Sequence, residues 1–116
     1  MARCFVDESE RRKTGSTCFH EFYRGKWDEA EMSFWSMDSL YIHDDDLYAL
    51  KLGEVLCSVA DAYDPYGVTE IDRIHWQSIR DEAEKIGGEL LTAIQELSPW
   101  VDSAFQDHDV FTILGI

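Results

Sequence analysis

The stretch IRDEAEKIGGELLTAIQEL, residues 79–97, governs how many helices this chain forms. Ile79, Ala83, Ile86, Leu90, Ile94 and Leu97 step by four, three, four, four and three, which keeps a single apolar stripe on a helix. Gly87 and Gly88 sit inside that stripe. Two glycines in a helix interior cost about 2 kcal/mol relative to alanine, so a break is the ordinary expectation. An inserted turn would disturb the phase, however, and the phase runs on undisturbed. The spacing therefore predicts one helix over residues 72–97, bent at the glycine pair.

Downstream, Ser98-Pro99 supplies an N-cap and a proline suited to a first helical position, which predicts a new short helix from 99. It would bury Trp100, Val101, Ala104 and Phe105. The tail DVFTILGI (109–116) is apolar at both alternating positions, as in a strand covered on both faces, and it could pair with strands near the N-terminus. Upstream, DPYG (64–67) carries turn chemistry. Before it, Tyr48, Leu52, Val55, Leu56, Val59 and Tyr63 mark one face of a helix starting near Leu47. Lys51, Glu54, Ser58 and Asp61 form its polar stripe, and Gly53, Cys57 and Ala60 a small-residue flank that another helix could approach.

Residues 27–43 fit strand and helix about equally. RCFV (3–6) and STCFHEFY (16–23) alternate like strands, and the charged DESERRKTG (7–15) between them reads as a loop. The fold expected is a helix-dominated α+β class, one globular domain over residues 1–116. It has three or four packed helices and a small sheet made from the chain ends.

Composition narrows the function. The net charge is −14, and it is uneven: residues 1–26 hold six basic and four acidic side chains, the rest four basic and twenty acidic. Such a field repels nucleic-acid phosphates and anionic membranes, and it speeds encounter with basic proteins. No leader-like segment opens the chain and no apolar run approaches the ~18 residues of a membrane span. Cys4, Cys18 and Cys57 are odd in number and scattered, which favours free thiols in a reducing cytoplasm.

HDDD, His43 to Asp46, is the densest chemical feature. Its simplest role is local: Asp44 as N-cap, with Asp45 and Asp46 at the first helical positions favouring the helix dipole. A helical phosphohydrolase of the His-Asp metal type would use His43 and Asp44 with His20 and one of Asp61, Asp64 or Asp109. An all-α pyrophosphohydrolase would hold Mg²⁺ through Asp28/Glu31 and Asp81/Glu84, pairs three apart on one helix face. These are the alternative, and the scarcity of cations for phosphate beyond residue 26 weighs against them. Cys18 and His20 share a strand face without a third group to orient the histidine. There is no phosphate-binding loop, no nucleophile elbow and no CxxC pair. No catalytic residue, metal or cofactor is therefore expected, and no small-molecule substrate.

Tyrosine and tryptophan among carboxylates suit a protein interface with an aromatic centre and a charged surround. Trp35, Trp76 and Trp100 read as core. The candidate partner-binding residues are Asp44, Asp45, Asp46, Tyr41, Trp27, Asp28, Glu31, Asp61, Asp64 and Tyr66, with Asp107 to Asp109 a rival patch.

The whole profile, with DVFTILGI and FWSMDSLYIHDDDLYALKLGEVL (34–56), resembles the bacterial immunity proteins of contact-dependent growth inhibition systems. That resemblance implies a cytoplasmic binding protein that neutralises a cognate toxin domain, often a basic nuclease, and is not itself an enzyme.

Overall fold

The computed structural model describes residues 4–27, 36–60, 63–64 and 66–115. Its elements, in chain order, are β1 (Phe5–Val6), α1 (Glu8–Thr14), β2 (Phe19–Arg24), β3 (Leu40–His43), α2 (Asp44–Ala49), α3 (Leu52–Val59), β4 (Val68–Asp72), α4 (Arg73–Ile86), α5 (Gly88–Asp107) and β5 (Val110–Leu114). The class is α+β as expected, but the described residues form five helices rather than three or four, and the five-stranded sheet takes β3 and β4 from mid-chain as well as strands from the chain ends. The five strands form one antiparallel sheet in the order β1-β3-β2-β5-β4. The tail does pair with an N-terminal strand, β5 against β2. It is buried on both faces, through Phe111, Thr112, Ile113 and Leu114.

The stretch expected to be a loop, 7–15, is a helix. Asp7 accepts from the Glu10 N–H at 2.8 Å and Glu10 accepts from the Asp7 N–H at 3.2 Å, a capping box, and Gly15 closes the other end in the left-handed region. Glu8 is 1% exposed and holds Arg11 at 2.6 Å and Arg12 at 2.7 Å. The Arg11 guanidinium lies 5.8 Å from the Tyr41 ring centre, which seats α1 on β3.

Cross-strand register sorts the two sheet faces. Phe5, Ile42, Phe22, Ile113, Ile71 and Phe111 share one face, and α3, α4 and α5 contribute Leu56, Trp76, Ile79, Leu90, Leu97 and Val101 to the same core. Phe111 is its hub: Trp76, Trp100 and Phe105 pack on its ring at 5.8–5.9 Å between centres. The opposite face carries Glu21 and Tyr41, both buried. Glu21 accepts from the Ser39 hydroxyl at 2.6 Å and the Ser36 N–H at 3.0 Å.

Three helix boundaries differ from expectation. The predicted helix 72–97 is two helices. Gly87, at φ 70° and ψ −158°, breaks it, and α5 starts at Gly88 with φ 63°. Ile86, which carried the apolar register across the pair, is 52% exposed. No new helix starts at Pro99. α5 runs through it, with the Ser98 hydroxyl donating back to the Ile94 carbonyl rather than capping. The proline ring deprives only the carbonyl of Gln95, an exposed residue, of its helical bond. Finally, the helix expected from Leu47 to Tyr63 is split at Lys51, which adopts φ 64°. The split lets Leu47, Leu50 and Leu52 all enter the core and swings Tyr48 outward. Of the ambiguous stretch 27–43, residues 40–43 form β3 and residues 28–35 lie outside the described residues. No helix among the described residues is long and apolar enough to cross a membrane.

Candidate partner-binding surface

The acidic run sits where β3 passes directly into α2. The cap is His43 rather than Asp44: its Nδ1 accepts from the Asp45 N–H at 3.1 Å. β3 extends through His43, whose ring packs edge-on against Phe19 at 5.1 Å, and the helix begins one residue earlier than the sequence pattern indicates. All three aspartates fall in its first turn, near the positive end of the helix dipole.

The three then diverge. Asp44 is tied inward. Its N–H donates to the Cys18 carbonyl at 2.9 Å, and its Oδ1 lies 2.8 Å from Nε2 of His20, which is wholly buried. Asp45 projects into solvent, its side chain 90% exposed. Asp46 turns towards α5 and lines a hollow of about 500 Å³ with Cys4, Glu89 and Glu96. Those carboxylates, after burial itself, raise the Cys4 thiol pKa.

Beside Asp44 lies the aromatic part of the surface. Tyr48 is 59% exposed and Tyr66 is 73% exposed. The nearby Tyr66 phenol, followed by the Asp44 carboxylate, raises the Tyr48 pKa above the ordinary tyrosine value. Tyr63 is half-buried behind them. Its hydroxyl is enclosed without a hydrogen-bond partner, and burial, more than the nearby Cys57, Tyr48, Asp44 and Asp64, pushes its pKa up to about 12. Leu47, Tyr48, Cys57, Ser58 and Tyr63, with Lys51 and Glu54 at the rim, enclose an open groove of about 720 Å³. Gly53 and Cys57, expected to admit another helix, line this groove instead.

Asp64 fixes the approach of Tyr66. Its Oδ1 accepts from the Tyr66 N–H at 2.9 Å, and its own N–H donates to the Thr69 hydroxyl at 3.1 Å. Of the residues singled out in the sequence, the fold thus brings Asp44, Asp64 and Tyr66 close to the tyrosines of the groove wall, with Asp45 projecting into solvent next to Asp44. It adds Tyr48 and Tyr63, which periodicity had assigned to a buried helix face. Asp46 lies on the flank towards α5.

The others do not join them. Tyr41 is a correction: at 0% exposure it is a core residue, its hydroxyl donating to the Ser36 carbonyl and to Glu21. On a strand whose outer face is roofed by α1, an aromatic next to an acidic run points inward. Trp27 is half-buried beyond the end of β2. Asp28, Glu31 and Asp61 lie outside the described residues. The rival patch at Asp107 to Asp109 is mixed in sign, because Lys26 and Arg73 line the same hollow and Arg24 reaches Asp107 at 3.6 Å.

The described residues contain no group of three or more His, Cys, Asp and Glu side chains placed to hold a metal ion. His43 Nδ1 is engaged by its own helix, and Asp64 by its own turn. Cys4, Cys18 and Cys57 are free thiols. Models of known protein families, curated proteins and solved structures were all compared with the chain, and none matches it.

Proposed function

We propose that this protein binds a basic protein partner through the surface formed by Asp44, Asp45, Asp64, Tyr48 and Tyr66. We further propose that the partner is a toxin domain, a nuclease, which the protein neutralises in the cytoplasm as an immunity protein. The observation that carries the proposal is the pair of exposed, neighbouring tyrosines, Tyr48 on the groove wall and Tyr66 beside it, with the Asp44 carboxylate close to them. Solvent-facing tyrosines supply large, rigid contact area, and carboxylates around them match a cationic surface. A nuclease cleft is cationic because it binds phosphates. A chain of net charge −14 is steered towards it and kept away from the nuclease's own substrate.

The direct test is co-expression with the toxin gene found beside this one in its native genome. Protection by the wild-type chain, lost in a Tyr48→Ala/Tyr66→Ala double variant that remains folded by circular dichroism, is the expected result. Absence of protection against every neighbouring toxin would end the proposal.

A further inference from the structure

Among the described residues the sheet has two edges, and only one of them is closed off. β1 is two residues long and runs straight into α1, which blunts its edge by brevity. β4, at the opposite end, is five residues long and among the described residues pairs with β5 alone.

The ladder shows which of its backbone groups are open. Gly115 donates to the Gly67 carbonyl at 2.7 Å, one step beyond the Val68–Leu114 pair of the register. Hydrogen-bonded and non-hydrogen-bonded pairs alternate in an antiparallel ladder. Thr69 and Ile71 therefore turn their N–H and C=O groups towards β5, whereas Val68 and Glu70 turn theirs away from the sheet. No bond among the described residues engages the main chain of Val68 or Glu70 on that side. The Val68 side chain is 49% exposed and Glu70 is exposed too.

We infer that β4 is a docking edge, to which the partner adds an extended segment as a sixth strand through the main chain of Val68 and Glu70. The inference rests on the partner-binding reading above and adds to it the mode of attachment. Alternate side chains of the added strand meet Val68 and Glu70, so the segment that fits carries an apolar residue beside Val68 and a lysine or arginine beside Glu70. A second copy of this chain fits poorly. Two copies, each of net charge −14, would bring Glu70 and Asp72 of both together along the joined edge. The edge also continues into the proposed surface, since Tyr66 precedes Val68 by two residues.

The test uses the full-length, ¹⁵N-labelled chain and the capped seven-residue peptide Thr-Val-Thr-Lys-Thr-Val-Thr, which places a valine and a lysine two positions apart on one face, as Val68 and Glu70 are. Its control is the same peptide N-methylated along the edge that faces β4. Expected are slowed amide exchange at Val68 and Glu70 with the first peptide and none with the control. Glu70→Pro, which removes an outward N–H from an edge strand that tolerates proline, should weaken binding about tenfold. Glu70→Lys, which leaves the backbone intact, should weaken it too and transfer preference to the same peptide with glutamate in place of its lysine. Binding that leaves the Val68 and Glu70 amides unprotected, or no binding at all, overturns the inference. So does concentration-dependent protection of these amides without peptide, which would make the occupant a second copy. If Glu70→Pro binds the toxin domain as tightly as the wild-type chain, strand addition fails and the immunity proposal stands. If the wild-type chain shields against no toxin, the immunity proposal fails while the peptide result stands.

Discussion

Replacing Gly87 and Gly88 with alanine separates the observed hairpin of α4 and α5 from the single helix that the apolar spacing predicts, because the two disagree in sign. In a continuous helix the double replacement would stabilise by about 2 kcal/mol. In the observed structure Gly87 sits at φ 70°, ψ −158°, a region nearly closed to side chains of ordinary chirality, and Gly88 at φ 63°. A Cβ built at either glycine meets nothing within 4 Å, so packing contributes no cost and the backbone alone sets the outcome. Occupying such a region costs about 2 kcal/mol at Gly87 and about 1 at Gly88. Alanine's stiffer unfolded chain returns roughly 0.5 kcal/mol at each site. The expected net is a loss of about 2 kcal/mol for the double variant. Against a urea m-value of about 2 kcal/mol/M, that lowers the unfolding midpoint by about 1 M. It lowers Tm by about 8 °C at roughly 4 °C per kcal/mol. Urea and thermal melts of the two single variants and the double variant decide the matter. A raised midpoint in Gly87→Ala, or in the double variant, would refute the hairpin.

Three further expectations follow from the same structure. Hydrogen bonding from Arg11, outweighing burial, lowers the Glu8 pKa, so its contribution is complete above the ordinary glutamate value near 4.5 and is lost as pH falls through the folded value. Glu8→Gln should therefore cost about 2–3 kcal/mol at pH 7, and its gap to wild type should narrow in urea melts below pH 4; an unchanged gap would dismiss the ion pair as the cause. On the partner surface, Asp45→Lys/Asp46→Lys should slow association and flatten its salt dependence, whereas Tyr48→Ala should raise the dissociation rate by about 2 kcal/mol, as surface plasmon resonance with the toxin domain would record. The purified chain should hydrolyse neither nucleotides nor nucleic acids with Mg²⁺, Mn²⁺ or Zn²⁺; turnover that disappears in His43→Ala or Asp44→Ala would instead favour the phosphohydrolase alternative.

The sheet shows where sequence pattern carries structural information and where it does not. β5 was legible because a run apolar at both parities can only be buried on both faces, and β2 because its alternation survives in the fold. β4 was not, since VTEID offers two inward side chains, Thr69 and Ile71, too few for a periodic signal beside the turn at 64–67. α1 carried a signal that went unread. Asp7 and Glu10 form a capping box that a charge-rich composition disguised as loop. The break at Lys51 had no signal at all, because nothing in ALKL marks a non-glycine residue for positive φ. It follows from the core's need to receive Leu47, Leu50 and Leu52 together.

The same break explains why the acids of the candidate surface were easier to read than its aromatics. A carboxylate next to a helix start stays at the surface whether the helix begins at one residue or the next, so Asp45 survives an error of one in the cap. A tyrosine does not, because one residue of phase turns it through about 100°. With the cap at His43 and the chain redirected at Lys51, Tyr48 leaves the apolar face of the expected helix and stands in solvent beside Tyr66. Tyr41, seven residues earlier, sits on β3, where alternation sends it under α1 to Glu21. Two tyrosines that flank HDDD with similar neighbours in the sequence therefore have opposite fates. What separates them is a strand-to-helix junction that is set by the ring nitrogen of His43.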